Sequence, residues 1–137
     1  MPSNWLVAGS ITGFLTVAGG AFGAHALKEH LSPERIAVFE IGVRYAMLHT
    51  AALLVTGLLA RERPGRALQV AGSAFLLGIV LFTGSLWALA ISGITKLGAI
   101  TPLGGLCFLT GWVALGRAAA TTTATRPDAT GTGRSSG

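Results

Sequence analysis

Charge is what this sequence has least of. Asp, Glu, Lys and Arg make up 11% of its 137 residues, against about 25% in an ordinary soluble domain. Acidic residues number only five, and Glu40 alone falls near an apolar run, four residues before Arg44, which can pair with it. A Ser-His-Asp arrangement or a pair of catalytic carboxylates is therefore excluded, and the chain reads as a non-enzyme. A single cysteine, Cys107, rules out an intramolecular disulfide and any zinc site of the CxxC type. In its apolar surroundings it reads as a small packing residue. The glycines of Leu103-Gly104-Gly105-Leu106 are followed by no GK[ST], so they form no phosphate loop. The net charge of +5 comes from Lys and Arg set between apolar runs and in the tail. No amphipathic face carries a basic stripe, which excludes nucleic acid as partner.

What the chain does contain is apolar length. Hydrophobic residues account for 51% and the mean hydropathy is +0.65. Residues 5–27 carry no formal charge outside His25 and, at ~1.5 Å per residue, suffice to cross a ~30 Å hydrocarbon core. Ala24-His25-Ala26 has the A-x-A look of a signal-peptide cleavage site. However, no Lys or Arg precedes Trp5, and the run exceeds an ordinary h-region, so it is read as a retained span. Further spans are expected over residues 43–60, 67–91 and 101–116. Ser32-Pro33 starts the second helix, the serine as cap and the proline at the first position. Its residues 33–42 carry charge and read as a short interfacial helical segment. Pro64-Gly65 makes a tight turn, Ser92-Gly93 ends the third helix, and Thr101-Pro102 starts the fourth. Residues 118–137 hold no aliphatic side chain larger than alanine and are expected to be a disordered polar tail. The fold class is thus all-α: one four-helix transmembrane bundle over residues 1–117, the lipid bilayer its first partner.

Small residues form two stripes. Gly9, Gly13, Thr16, Gly20 and Ala24 share one face of the first helix, and Gly104, Cys107, Gly111 and Ala114 share one face of the fourth. Such faces allow close backbone approach in lipid, and the two are expected to meet. Arg61, Arg63, Arg66, Arg117, Arg126 and Arg134 fall on one side of the membrane. Lys28, Arg35, Arg44 and Lys96 fall on the other. The dense 61–66 turn places both termini in the cytoplasm. Trp5 and Trp112 are expected at the inner interface and Trp87 at the outer one.

Few polar side chains enter the spans. Tyr45, His49 and Thr56 line one face of the second helix, with Ser85 on the third. His49 lies about 18 Å inside the boundary set at Arg61 and needs a hydrogen-bond partner, for which Tyr45, Thr16 and Ser85 are candidates. It reads either as a proton relay or polar-ligand contact, or as a link between two helices. His25 falls near the outer boundary and His30 in a loop. Haem between His25 and His49 is disfavoured by depths about 10 Å apart. No metal or other cofactor is expected.

Three blocks carry a resemblance: Gly20-Ala21-Phe22-Gly23-Ala24-His25-Ala26-Leu27; Arg44-Tyr45-Ala46-Met47-Leu48-His49; and Leu81-Phe82-Thr83-Gly84-Ser85-Leu86-Trp87 leading into Thr101-Pro102-Leu103-Gly104-Gly105. Over residues 5–117 the chain resembles the small inner-membrane proteins typified by YgdD and YwdK. The resemblance implies a four-helix integral membrane protein of the inner membrane. Family members often have glutamine at Ala46 and tyrosine at Trp87. Two functions stay open: a structural or accessory component binding other membrane proteins or copies of itself, or a conduit or carrier for protons or a polar solute, lined by Tyr45, His49, Thr56 and Ser85.

Overall fold

The computed structural model describes residues 4–124, and among these the chain is helical apart from short connections. Four helices are long and apolar enough to cross a membrane: α1 (Trp5–Leu27), α2 (Pro33–Glu62), α3 (Arg66–Ser92) and the stretch Thr95–Thr121. The last comprises a 3₁₀ turn, Thr95–Ala99, and helix α4, Thr101–Ala124. The expected all-α bundle with four spans is therefore the fold.

The start of α2 follows its sequence signals. Ser32 sits in extended backbone, and its hydroxyl accepts the Arg35 N–H at 3.4 Å. Pro33 occupies the first turn, where its missing N–H costs nothing, and Glu34 opposes the positive helix end. The helix then continues unbroken for 30 residues, about 45 Å. Residues 33–42 are continuous with the rest, and Phe39 and Gly42 are already buried in the bundle. Glu40 and Arg44 do not form the ion pair expected of them; Arg44 stays exposed.

At the other end of α3, Gly93 takes up the left-handed conformation, φ 74°, which favours glycine at a helix C-terminus. Arg35 reaches across from the first turn of α2 and donates from its Nη2 to the Ile91 carbonyl at 2.7 Å. A cation thus meets one of the orphan carbonyls at the negative end of α3.

Two expectations differ at α4. Thr101 lends its hydroxyl to Ser85 at 2.8 Å, while the Ile100 carbonyl receives the first amides, Leu103 and Gly104. The preceding 3₁₀ turn supplies that carbonyl. Beyond Arg117 the helix runs on to Ala124, so residues 118–124, expected to be disordered, are helical. Ala118 to Ala120 have the highest helix propensity, and the Thr121 hydroxyl returns to the Ala118 carbonyl at 2.9 Å. Residues 125–137, the rest of the expected tail, lie outside the described residues.

Helices pack with their sequence neighbours: α1 along α2, α2 along α3, α3 along α4. The two small-residue stripes do not meet each other. A Cβ at Gly9 would strike Leu54, one at Gly20 would strike Val43, and Gly13 faces Thr50, so the first stripe takes in α2. The second takes in α3, Gly104 against the Phe82 backbone and Gly111 against the Phe75 ring. Each glycine stands where a neighbour of its adjacent helix needs room. That packing supplies the dispersion energy lipid leaves out. Thr50 adds a hydrogen bond between helices, donating to the Thr12 hydroxyl at 3.1 Å.

Candidate functional site

Between α2 and α4 the backbones stay apart, and rings fill the interval. His49 is 3% exposed. Its Nε2 accepts the Trp112 Nε1–H at 3.1 Å. Its Nδ1 lies 2.6 Å from the Tyr45 carbonyl, an acceptor only, so the ring proton resides on Nδ1 and donates there. Both nitrogens of a neutral imidazole are thereby satisfied. The ring lies flat on Phe108, centroids 3.5 Å apart and planes at 8°. Phe75 tilts against it at 5.9 Å, and Trp112 meets Phe75 edge-on at 5.2 Å. On the other side Tyr45 stacks on Phe82 at 4.4 Å. Residues of α2, α3 and α4 thus form one continuous stack centred on His49.

The remaining predicted site residues are placed as follows. Tyr45 serves His49 through its backbone; the residue is 45% exposed and its ring stacks on Phe82. Thr56 is fully buried and donates to the Ala52 carbonyl at 2.8 Å. Ser85 bonds the Phe82 carbonyl at 2.9 Å as well as Thr101. Thr16, named as a partner for His49, instead donates to Thr12 at 2.6 Å. His25 is exposed near the end of α1. Because Gly13 faces Thr50 and Gly20 faces Val43, His25 lies several turns from His49. Tyr45, His49, Thr56 and Ser85 line neither of two surface grooves: one of about 860 Å³ between α3 and α4, the other of about 660 Å³ around the α2–α3 turn. Among the described residues no group of three His, Cys, Asp or Glu side chains could hold a metal ion.

Each tryptophan packs against a neighbouring helix. Trp112 bonds His49 from α4. Trp87 lies half-buried between α1 and α2, stacked on Phe39 at 4.8 Å and donating to the Phe39 carbonyl at 3.2 Å. Gly19 and Gly42 leave the room for its indole, which a Cβ at either position would meet. Thr83 donates to the Gly42 carbonyl at 2.8 Å beside it. Two helices widen to π geometry here, α1 over Ala18–Gly23 and Trp87's own helix α3 over Ile79–Thr83. At the opposite end the Trp5 indole rests on Gly72, its Nε1 buried without an acceptor.

Sequence reasoning missed Phe75, Phe108 and Trp112 as companions of His49. A signal existed: Tyr45/His49 and Phe108/Trp112 are each four apart, and Phe75/Phe82 seven apart, so each pair presents rings from one helical face.

Comparison with known proteins adds the family. Residues 19–105 match the family described as "Protein of unknown function (DUF423)". The chain is 41% identical over 110 residues to the UPF0382 membrane protein YwdK of Bacillus subtilis, covering 80% of this chain and 89% of that one. It is 39% identical over 115 residues to a UPF0382 membrane protein of Haemophilus influenzae, covering 84% and 92%. It is 36% identical over 107 residues to the UPF0382 inner membrane protein YgdD of Escherichia coli, covering 78% and 82%. No solved structure matches. Four apolar helices knitted by small residues, with this extent of likeness to membrane proteins of one kind, place the chain in the DUF423 (UPF0382) family of multi-pass membrane proteins.

Proposed function

We propose that this protein is a non-enzymatic, accessory component of a membrane assembly. The observation that supports the reading is the use of its buried polar side chains. His49, Thr12, Thr16, Thr50, Thr56, Thr83 and Ser85 each make a hydrogen bond inside the bundle. A catalytic or transport site keeps polar groups converging on a ligand-sized space; here rings fill the centre. The small-residue stripes are occupied by the chain's own helices. A protein partner would therefore meet the exposed apolar faces, such as Ile11, Phe14 and Val17 on α1.

Extraction in mild detergent after in-membrane crosslinking tests this. A reproducible partner, or a second copy, crosslinked through α1 is the expected result. Recovery of an uncrosslinked monomer alone would overturn it. The conduit reading makes the opposite demand: proteoliposomes should show a proton or solute flux that His49→Ala abolishes. We further infer that both termini face the cytoplasm, since Arg61, Arg63, Arg66 and Arg117 gather at the end where α1 begins and α4 finishes. In a Cys107→Ala background, a cysteine at Gly65 should label only from the cytoplasmic side and one at His30 only from outside. The reverse pattern refutes that orientation.

A further inference from the structure

The groove between α3 and α4 has a polarity of its own. Arg66 opens α3, and Arg117 lies late in the antiparallel α4, so both guanidinium groups stand at the same end of one groove. Beyond them its walls are apolar, with Val70 from α3 and Leu106, Leu109 and Val113 from α4, all exposed. From Arg117 back to Leu106 is about 16 Å along the helix, close to one leaflet of a ~30 Å core. The cavity holds about 860 Å³. Neither arginine makes an ion pair or a side-chain hydrogen bond among the described residues. Glu62 lines the adjoining groove around the turn, which Arg66 also borders, and does not line this one. The first turn of α3 has no capping side chain and no acidic residue, so its positive end adds to the charge at the mouth.

We propose that this groove is a binding site for one anionic phospholipid of the leaflet into which the α2–α3 turn projects. Its phosphate is held between Arg66 and Arg117, and an acyl chain lies along Val70, Leu106 and Val113. Charge complementarity selects the headgroup class, and the depth of the apolar wall fits a chain reaching the bilayer midplane. Basic pockets between spanning helices bind acidic headgroups on this principle. The groove lies apart from the His49 stack, so the assignment holds or fails independently of the accessory role.

The test uses the full chain, extracted in mild detergent and presented with equal amounts of phosphatidylglycerol and phosphatidylcholine of identical acyl chains. Native mass spectrometry reads the lipid retained. The wild type should retain the anionic lipid preferentially. The double variant Arg66→Gln/Arg117→Gln should lose roughly fivefold to thirtyfold of that preference. Both positions are exposed, and circular dichroism checks that the helices persist. Arg61→Gln/Arg63→Gln removes the same charge from outside the groove and should leave the preference nearly intact. Equal retention of the two lipids by the wild type overturns the proposal. So does an equal loss in the two double variants, which would mean attraction to surface charge alone. A lipid-free dimer, with a second copy seated in the groove, overturns it as well.

Discussion

The Trp112–His49 hydrogen bond should be measurable as a coupling energy. Replacing His49 by Phe keeps a flat ring against Phe108 but strips the acceptor from the Trp112 Nε1–H, 3.1 Å away. Replacing Trp112 by Phe leaves Nε2 without its donor. Each single change strands one polar group where lipid offers no substitute, at about 1–2 kcal/mol. The double variant removes both partners together and strands neither, so it should be nearly as stable as either single variant. The Tyr45 carbonyl, released from Nδ1 in both His49 variants, stays within a regular helix and adds little. The cycle should therefore show a coupling of about 1–1.5 kcal/mol. Reversible unfolding in mixed detergent micelles, followed by circular dichroism, supplies the four free energies. Nitrogen-15 shifts of the imidazole in the wild type should report the proton on Nδ1. If the single losses add within about 0.5 kcal/mol, the bond does not hold α2 to α4, and the reasoning fails.

Other substitutions separate close contact from open surface. Gly104→Leu drives a side chain into the Phe82 backbone, at 2.5 Å from its nitrogen for the Cβ alone, and should cost about 1–3 kcal/mol or more. Gly105→Leu meets nothing within 4 Å and should change stability by less than about 0.5 kcal/mol; the same micelle unfolding compares them. Gly93→Ala forces a Cβ into a backbone with φ 74° and should cost about 1 kcal/mol. Arg35→Met removes the donor to the Ile91 carbonyl and should speed amide hydrogen exchange at the end of α3 while leaving the middle of α2 unchanged.

Element type, number and order were legible because they depend on local terms: apolar length, Ser32-Pro33, Pro64-Gly65 and the left-handed Gly93. The stripes were legible as faces, since spacing fixes which residues share a side of a helix. Which helix each stripe receives was not legible. Leu54 and Val43 opposite α1, or Phe82 and Phe75 opposite α4, are matches of shape between helices, and one-dimensional spacing holds no record of them. The site divided along the same line. His49 was picked out because an ionisable group in an apolar run is rare. Its partner was sought among hydroxyl groups, whereas the acceptor and donor are the Tyr45 carbonyl and the Trp112 indole. The tryptophan partners were not legible either, because an indole N–H can bond an acceptor in a neighbouring helix. Trp87 and Trp112 both found one there.

The bundle closes its interior in two different ways. Where backbones come close, a glycine stands opposite a bulky group, as with Gly9 and Leu54, Gly42 and Trp87, or Gly104 and Phe82. Where they stay apart, between α2 and α4, rings bridge the distance, and both His49 nitrogens and the Trp112 indole N–H are paired. The three blocks that carry the family resemblance fall on these contacts. Gly20 and Gly23 face Val43 and Phe39, His49 sits at the centre of the stack, and Thr83 and Trp87 bond the α2 backbone. The π segments overlap the first and third blocks, and such widenings recur at functional sites. In this chain they flank Trp87 as it meets Phe39 and Gly42. The signature therefore describes how three helices are brought together at one end and how α4 is tethered at mid-depth. A bundle closed at both places offers other molecules its outer surface, and there the arginine-headed groove and the bare face of α1 are the features an occupant or partner would meet.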